Sequence, residues 1–120
     1  MTTLSMILIA AIGVLHVYIC WFEMFAWETR GPRVFASLPR NLFGPTRALA
    51  ANQGLYNLFL AAGLFWSLLI SDPVWATSVA LFFLTCVLIA GLYCAATVAF
   101  RILYVQALPA ALAIGSILII

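Results

Sequence analysis

The chain has 120 residues, of which 68% are hydrophobic and 7% are charged, and its mean hydropathy is +1.24. This composition excludes an ordinary soluble domain and predicts an integral membrane protein, so the lipid bilayer is its first expected partner. The net charge of +2 comes without the basic stripe that nucleic acids require, and no nucleic-acid partner is expected.

Four apolar runs predict four transmembrane helices, since one span requires about 20 apolar residues. The expected fold is all-α, with a single domain over residues 1–120 in which the four spans form a bundle. Hydropathy and turn residues place the helices at about 4–27, 48–70, 74–100 and 102–120. The first run lacks a preceding Lys or Arg and a cleavage pattern, so we expect a retained helix and not a signal peptide.

The segment 28–47 is predicted to be a loop, because its three prolines and two glycines interrupt any continuous helix. Residues 34–38 within it are expected to lie on the membrane surface. All five positive residues are arginines. Four of them lie in or beside this first loop and Arg101 lies in the third, whereas the second loop carries only Asp72. The positive-inside rule therefore places both termini outside.

Two ionisable residues in the first span are the strongest functional signal. His16 and Glu23 are seven positions apart and fall on one stripe of a helix. Such groups are costly in a bilayer unless they face a protein interior or a wet cavity. A low dielectric disfavours the charged form of either group, so the two could relay a proton. The alternatives are a helix-to-helix hydrogen bond for His16 and an ion pair of Glu23 with Arg30 or Arg47.

Polar residues of the other three spans are expected at about the same membrane depth as His16 and Glu23. Counting about 1.5 Å per residue from the inner ends brings side chains of all four helices together in the cytoplasmic half. The expected pocket residues are His16, Glu23, Asn52, Gln53, Tyr56, Asn57, Tyr93 and Gln106. Pro109 is expected to kink the last helix beside Gln106, or simply to bend a packed helix. The alternative for the cluster as a whole is that it ties helices together.

The sequence contains few residues suited to metal-dependent, thiol or nucleophilic chemistry. One histidine, one glutamate and several amides make a weak ligand set for zinc or iron, so no metal and no cofactor is expected. Cys20, Cys86 and Cys94 form no C-x-x-C pair and are interpreted as small buried residues. No nucleophile has an evident base beside it, which disfavours a hydrolase.

Four segments carry a family resemblance: HVYICWFEMFAW at 16–27, ANQGLYNLFLAAG at 51–63, GLYCAAT at 91–97 and ILYVQALPA at 102–110. Together they resemble a family of small bacterial four-helix inner-membrane proteins that is catalogued as a domain of unknown function. One departure is Ala107, where relatives carry glycine. The resemblance implies the fold, the topology and a multi-pass location in a bacterial inner membrane, and it implies no activity.

Three functions remain open at this point. The first is binding or transport of a small molecule in the cytoplasm-facing polar pocket, coupled in the transport case to proton movement; the expected ligand is a small molecule or a lipophilic one. Transport would require a homo-oligomer, because one four-helix subunit is too small to enclose a path. The second is an intramembrane enzyme that isomerises a lipophilic substrate by acid and base chemistry. The third is a structural or assembly subunit whose polar residues are dry and paired with one another.

Overall fold

The computed structural model describes residues 1–119, which form helices joined by turns and irregular segments and contain no strand. The all-α prediction is thereby confirmed. The helices are α1 (Thr3–Phe25), α2 (Trp27–Val34), α3 (Arg47–Leu69), α4 (Pro73–Thr97) and α5 (Leu108–Ile119). A 3₁₀ turn at Arg40–Leu42 precedes α3, and a π-helical segment at Leu103–Ala107 leads into α5. Ile120, the last residue of the predicted fourth helix, lies outside the described residues.

The long helices begin close to their predicted first residues and two of them end earlier than expected. The first stops at Phe25 because Ala26 leaves the helical region, with φ −124° and ψ 15°. The third predicted helix stops at Thr97, where Val98 has φ −118° and ψ −63°. Tight turns follow it, with the amide of Ala99 donating to the carbonyl of Cys94 at 3.2 Å. The predicted fourth helix is the π-helical segment continued by α5.

The first loop is more ordered than its prolines and glycines indicated. The prediction of a non-helical segment from residue 28 was wrong, because α2 runs through Pro32 to Val34. Proline there removes one backbone donor in a helix of eight residues. Tertiary packing holds the segment in place. The indole of Trp27 donates to Thr46 Oγ1 at 3.0 Å and lies 5.0 Å from the ring of Phe43, which is 2% exposed.

The long helices form a ring in which each packs on the next. α1 packs on α3, α3 on α4, α4 on the π-helical segment and α5, and α5 returns to α1. Small residues allow the closest approaches. A Cβ at Gly54 of α3 would lie 3.0 Å from the carbonyl oxygen of Cys20 in α1. A Cβ at Gly91 of α4 would lie 2.8 Å from the backbone nitrogen of Ala107. The apolar core consists of Ile9, Ile12, Leu64, Ala80, Leu84, Val87, Ala110 and Ala113.

The outer surface of this bundle is apolar. Two helices, α1 and α4, are long and apolar enough to cross a membrane by length and composition. A core helix of a soluble protein would pass the same test but would be mostly buried. Here the burial inside the protein is 33% for the most apolar window of α1 and 28% for that of α4. Many large apolar side chains are exposed, and the exposed fraction reaches 81% at Leu69, 75% at Val74 and 86% at Ile119.

Candidate ligand cavity

A cavity of about 540 Å³ lies at one end of the bundle, beside α2 and the segment that follows it. Its walls come from α1, α3, α4, the π-helical segment and the first loop, and they are mostly apolar. Tyr18 and Val105 line it and are 46% and 42% exposed, so the cavity opens to the surface. Its polar lining includes Glu23, Ser37, Gln53, Asn57, Thr97, Arg101 and Gln106.

Glu23 is the carboxylate of this cavity, and Asn57 of α3 holds it. Asn57 Nδ2 donates to Glu23 Oε1 at 2.7 Å and to the carbonyl oxygen of Gln53 at 3.1 Å. The close crossing at Gly54 explains the contact. A Cβ there would lie 3.1 Å from Glu23 Cβ, so glycine brings α3 within reach of the carboxylate. Glu23 is 9% exposed and therefore depends on this partner for hydrogen bonding.

His16 lies behind the cavity and reaches it through Gln106. Its imidazole is fully buried, with 0% exposure. Nδ1 lies 2.8 Å from the carbonyl oxygen of Ile12, and Nε2 lies 2.9 Å from Gln106 Nε2. A carbonyl oxygen only accepts, so Nδ1 carries the proton and Nε2 of the neutral ring accepts from the Gln106 amide. His16 thus orients a side chain that lines the cavity, and the described contacts do not join it to Glu23.

The π-helical segment at Leu103–Ala107 places Gln106 between His16 and the cavity. Its wider turn is closed by the amide of Leu108 donating to the carbonyl of Leu103. Pro109 follows directly and has no amide hydrogen, so a regular helix would lack a donor at this point. A π-turn absorbs such a defect, and these turns are frequent at functional sites. The sequence predicted a kink in the last helix beside Gln106. In the structure the helix changes type at this point, from π to α.

The alternative ion pairs proposed for Glu23 are not present among the described contacts. Arg47 Nε instead lies 3.6 Å from Glu28 Oε1 at the surface. Arg30 stacks over the ring of Trp21, 5.2 Å from its centroid. The guanidinium of Arg101 lines the cavity and donates to the carbonyl oxygen of Val34, where α2 ends.

The eight residues singled out in the sequence divide into three groups. Glu23, Gln53, Asn57 and Gln106 line the cavity, and His16 supports it from behind. Asn52 is exposed and donates to the carbonyl of Ala48 in its own helix. Tyr56 and Tyr93 are 66% and 72% exposed and do not line the cavity. On α3, helical spacing separates the residues that face the cavity from their neighbours that face outward.

Arg101, Phe35 and Thr97 line the cavity and were not among the candidate residues. Arg101 was interpreted as a marker of the inner membrane surface, which is the commoner meaning of an arginine at a helix end. Phe35 belongs to the first loop, whose fold no periodicity indicated. Thr97 carried a usable signal, since it lies near the inner end of its predicted helix, at the predicted depth of Glu23.

The metal-ligating side chains and the cysteines of the described residues are not gathered into one cluster. Residues 1–119 contain no group of three or more metal-ligating side chains. The three cysteines are free. Cys20 contacts the sulfur of Met24 at 3.5 Å, and Cys94 lines the cavity.

Comparison with known proteins adds a family and no activity. No curated protein and no solved structure matches the chain. A family model matches nearly all of it, from residue 8 to residue 118. The chain therefore belongs to the family described as "Protein of unknown function (DUF1304)".

Proposed function

We propose that this protein is a four-span membrane protein that binds a small lipophilic molecule in the 540 Å³ cavity. The spans would be α1, α3, α4, and the π-helical segment continued by α5. The apolar exposed surface supports immersion in lipid, because no other solvent accommodates so many large exposed apolar side chains. The arginines of the first and third loops support a cytoplasmic position for the end that holds the cavity, with both termini outside a bacterial inner membrane.

One observation carries the binding proposal: a mostly apolar cavity of ligand size contains a few positioned polar groups. Ligand sites typically enclose about 300–1,000 Å³ and combine apolar walls with a small number of oriented polar side chains. Glu23 and Gln106 have these properties, since each is held by a named partner and each lines the same cavity. A ligand would therefore find both an apolar surface and a fixed hydrogen-bonding pattern.

The polar residues of the cavity differ from those expected in a structural subunit, and this difference favours ligand binding. Polar residues that merely tie helices together pair with one another and leave no cavity, as Ser5 and Ser116 do at the opposite end, 2.9 Å apart. Glu23 and Gln106 each have one side-chain oxygen that is free of hydrogen bonds within residues 1–119. Transport of the ligand, coupled to protonation of Glu23, is a further step and would need a homo-oligomer to enclose a path.

The test is photolabelling of the purified protein in nanodiscs with a neutral, medium-chain alcohol that carries a diazirine. Mass spectrometry should locate saturable labelling on cavity residues such as Phe35, Val98 and Val105. Labelling of lipid-facing residues such as Leu69 should instead rise linearly with probe concentration.

A matched pair of variants on α4 controls this experiment. Ala90→Trp fills the cavity, because Ala90 lines it, and should abolish saturable labelling. Ala96→Trp adds the same side chain at an exposed position outside the lining and should leave saturable labelling intact. Labelling that never saturates, or that survives Ala90→Trp unchanged, would refute the proposal.

A further inference from the structure

The hydrogen bonds of Asn57 determine which of its atoms faces a ligand. Its Nδ2 lies within hydrogen-bond distance of the Gln53 carbonyl oxygen, which can only accept, so this atom must be the amide nitrogen. The same nitrogen donates to Glu23 Oε1. An amide nitrogen has two hydrogens, and both are then used. Asn57 therefore has no donor left for a ligand and offers only its Oδ1 acceptor.

His16 fixes Gln106 in the same way. The Ile12 carbonyl takes the Nδ1 proton of the buried imidazole, which leaves Nε2 as an acceptor. Gln106 must then turn its amide nitrogen toward His16, at 2.9 Å, and its Oε1 away from it. Within residues 1–119 no completely buried side-chain nitrogen or oxygen lacks a hydrogen-bond partner. Since no described group donates to Gln106 Oε1, that oxygen is accessible, and Gln106 lines the cavity.

The cavity lining thus presents three acceptor oxygens to a ligand. Glu23 Oε2, Asn57 Oδ1 and Gln106 Oε1 accept no hydrogen bond from residues 1–119, and Glu23 supplies the one carboxylate among the described lining residues. Arg101, the one cationic side chain among the described lining residues, donates to the carbonyl of Val34 at the end of α2. A ligand that donates hydrogen bonds and carries positive charge complements these three oxygens, whereas an anion placed beside them would be repelled by the carboxylate.

We propose that the ligand class is a lipophilic amine, whose protonated amino group donates to Glu23 and Gln106 while its apolar body packs against Phe22 and Val98. This inference rests on the proposed binding function and names its ligand. An ammonium group has three hydrogens and one charge, which matches one carboxylate and neighbouring amide oxygens. The mostly apolar remainder of the cavity accounts for the lipophilic body.

Three probes of one shape test the proposal by competition against the photolabel: 4-phenylbutylamine, 4-phenylbutan-1-ol and trimethyl(4-phenylbutyl)ammonium. The primary amine should compete at least about tenfold more strongly than the alcohol, since it adds a charge-assisted hydrogen bond. It should also exceed the trimethylammonium compound, which has the charge but no N–H donor. Glu23→Gln keeps an acceptor for Asn57 and should reduce the amine-to-alcohol ratio to about one.

Glu28→Gln is the matched control, because it makes the same substitution at a surface carboxylate that lies 3.6 Å from Arg47 Nε and outside the cavity lining. This variant should preserve the amine-to-alcohol ratio. An alcohol that competes as well as the amine would overturn the ligand class and leave binding in the cavity standing. A ratio unchanged in Glu23→Gln would overturn the role of the carboxylate. Failure of all three probes to compete with a label that saturates would overturn the ligand class and leave binding in the cavity standing.

Discussion

The hydrogen bond between Asn57 and Glu23 should be a measurable part of the stability of the bundle. Asn57→Leu keeps the side-chain size and removes the donor that lies 2.7 Å from Glu23 Oε1. Hydrogen bonds to charged groups contribute about 1.5–3 kcal/mol in soluble proteins, whereas pairs between membrane helices average about 0.6 kcal/mol. The contact is short and nearly buried but borders a cavity, so we expect a loss of about 1–2 kcal/mol.

A double-mutant cycle with Glu23→Leu isolates this contact, because the second substitution removes the acceptor. Unfolding by SDS in mixed micelles, followed by circular dichroism, measures each variant. The control is Asn52→Leu on the same helix. Asn52 donates within its own helix and is exposed, so its loss should change stability by less than about 0.5 kcal/mol. A coupling energy below about 0.5 kcal/mol, with Asn57→Leu behaving as Asn52→Leu does, would refute the assignment.

Two further predictions concern helix packing and use the same assay. Gly91→Ala should be less stable than Gly115→Ala by about 1–3 kcal/mol, because the new methyl group would lie 2.8 Å from the backbone of Ala107, whereas nothing lies within 4 Å of Gly115. Both variants gain the same helix propensity, so equal stabilities would contradict the observed crossing. Ser5→Ala and Ser116→Ala should show a coupling energy of about 0.5–1.5 kcal/mol, since their hydroxyls are 2.9 Å apart. Additive effects of the two substitutions would argue against that hydrogen bond.

The helical regions could be predicted because they follow from local properties of the chain. Long apolar runs need their backbone groups satisfied within each segment, and Asp72 before Pro73 marks a helix start, where its carboxylate accepts from the amide of Val74 at 2.9 Å. The importance of Glu23 was also predictable, because a carboxylate in an apolar run requires a partner. Counting residues from the inner helix ends predicted that Asn57 lies at the same depth as Glu23. In the structure the side chains of Asn57 and Glu23 are hydrogen-bonded.

The loop between the first two long helices was not predictable in the same way. Its glycines and prolines indicate turns in isolation, and the helical state of α2 depends on contacts made elsewhere. Gly31 leaves the space that the ring of Phe43 occupies, since a Cβ there would lie 2.5 Å from that ring. These residues are twelve positions apart, and no helical or strand periodicity in the sequence predicts their contact.

The sequence by itself determined an all-helical, strongly apolar chain with a titratable residue in its first helix, because composition and helical period are local quantities. The tertiary structure decided which polar residues act together. It separated Asn57 from Asn52 and Tyr56 through the rotation of α3 about its axis, and it placed His16 behind Gln106 through the π-turn. Helix rotation and side-chain hydrogen-bond direction arise only when helices pack, so the acceptor-lined wall beside Glu23 became visible only in the folded chain.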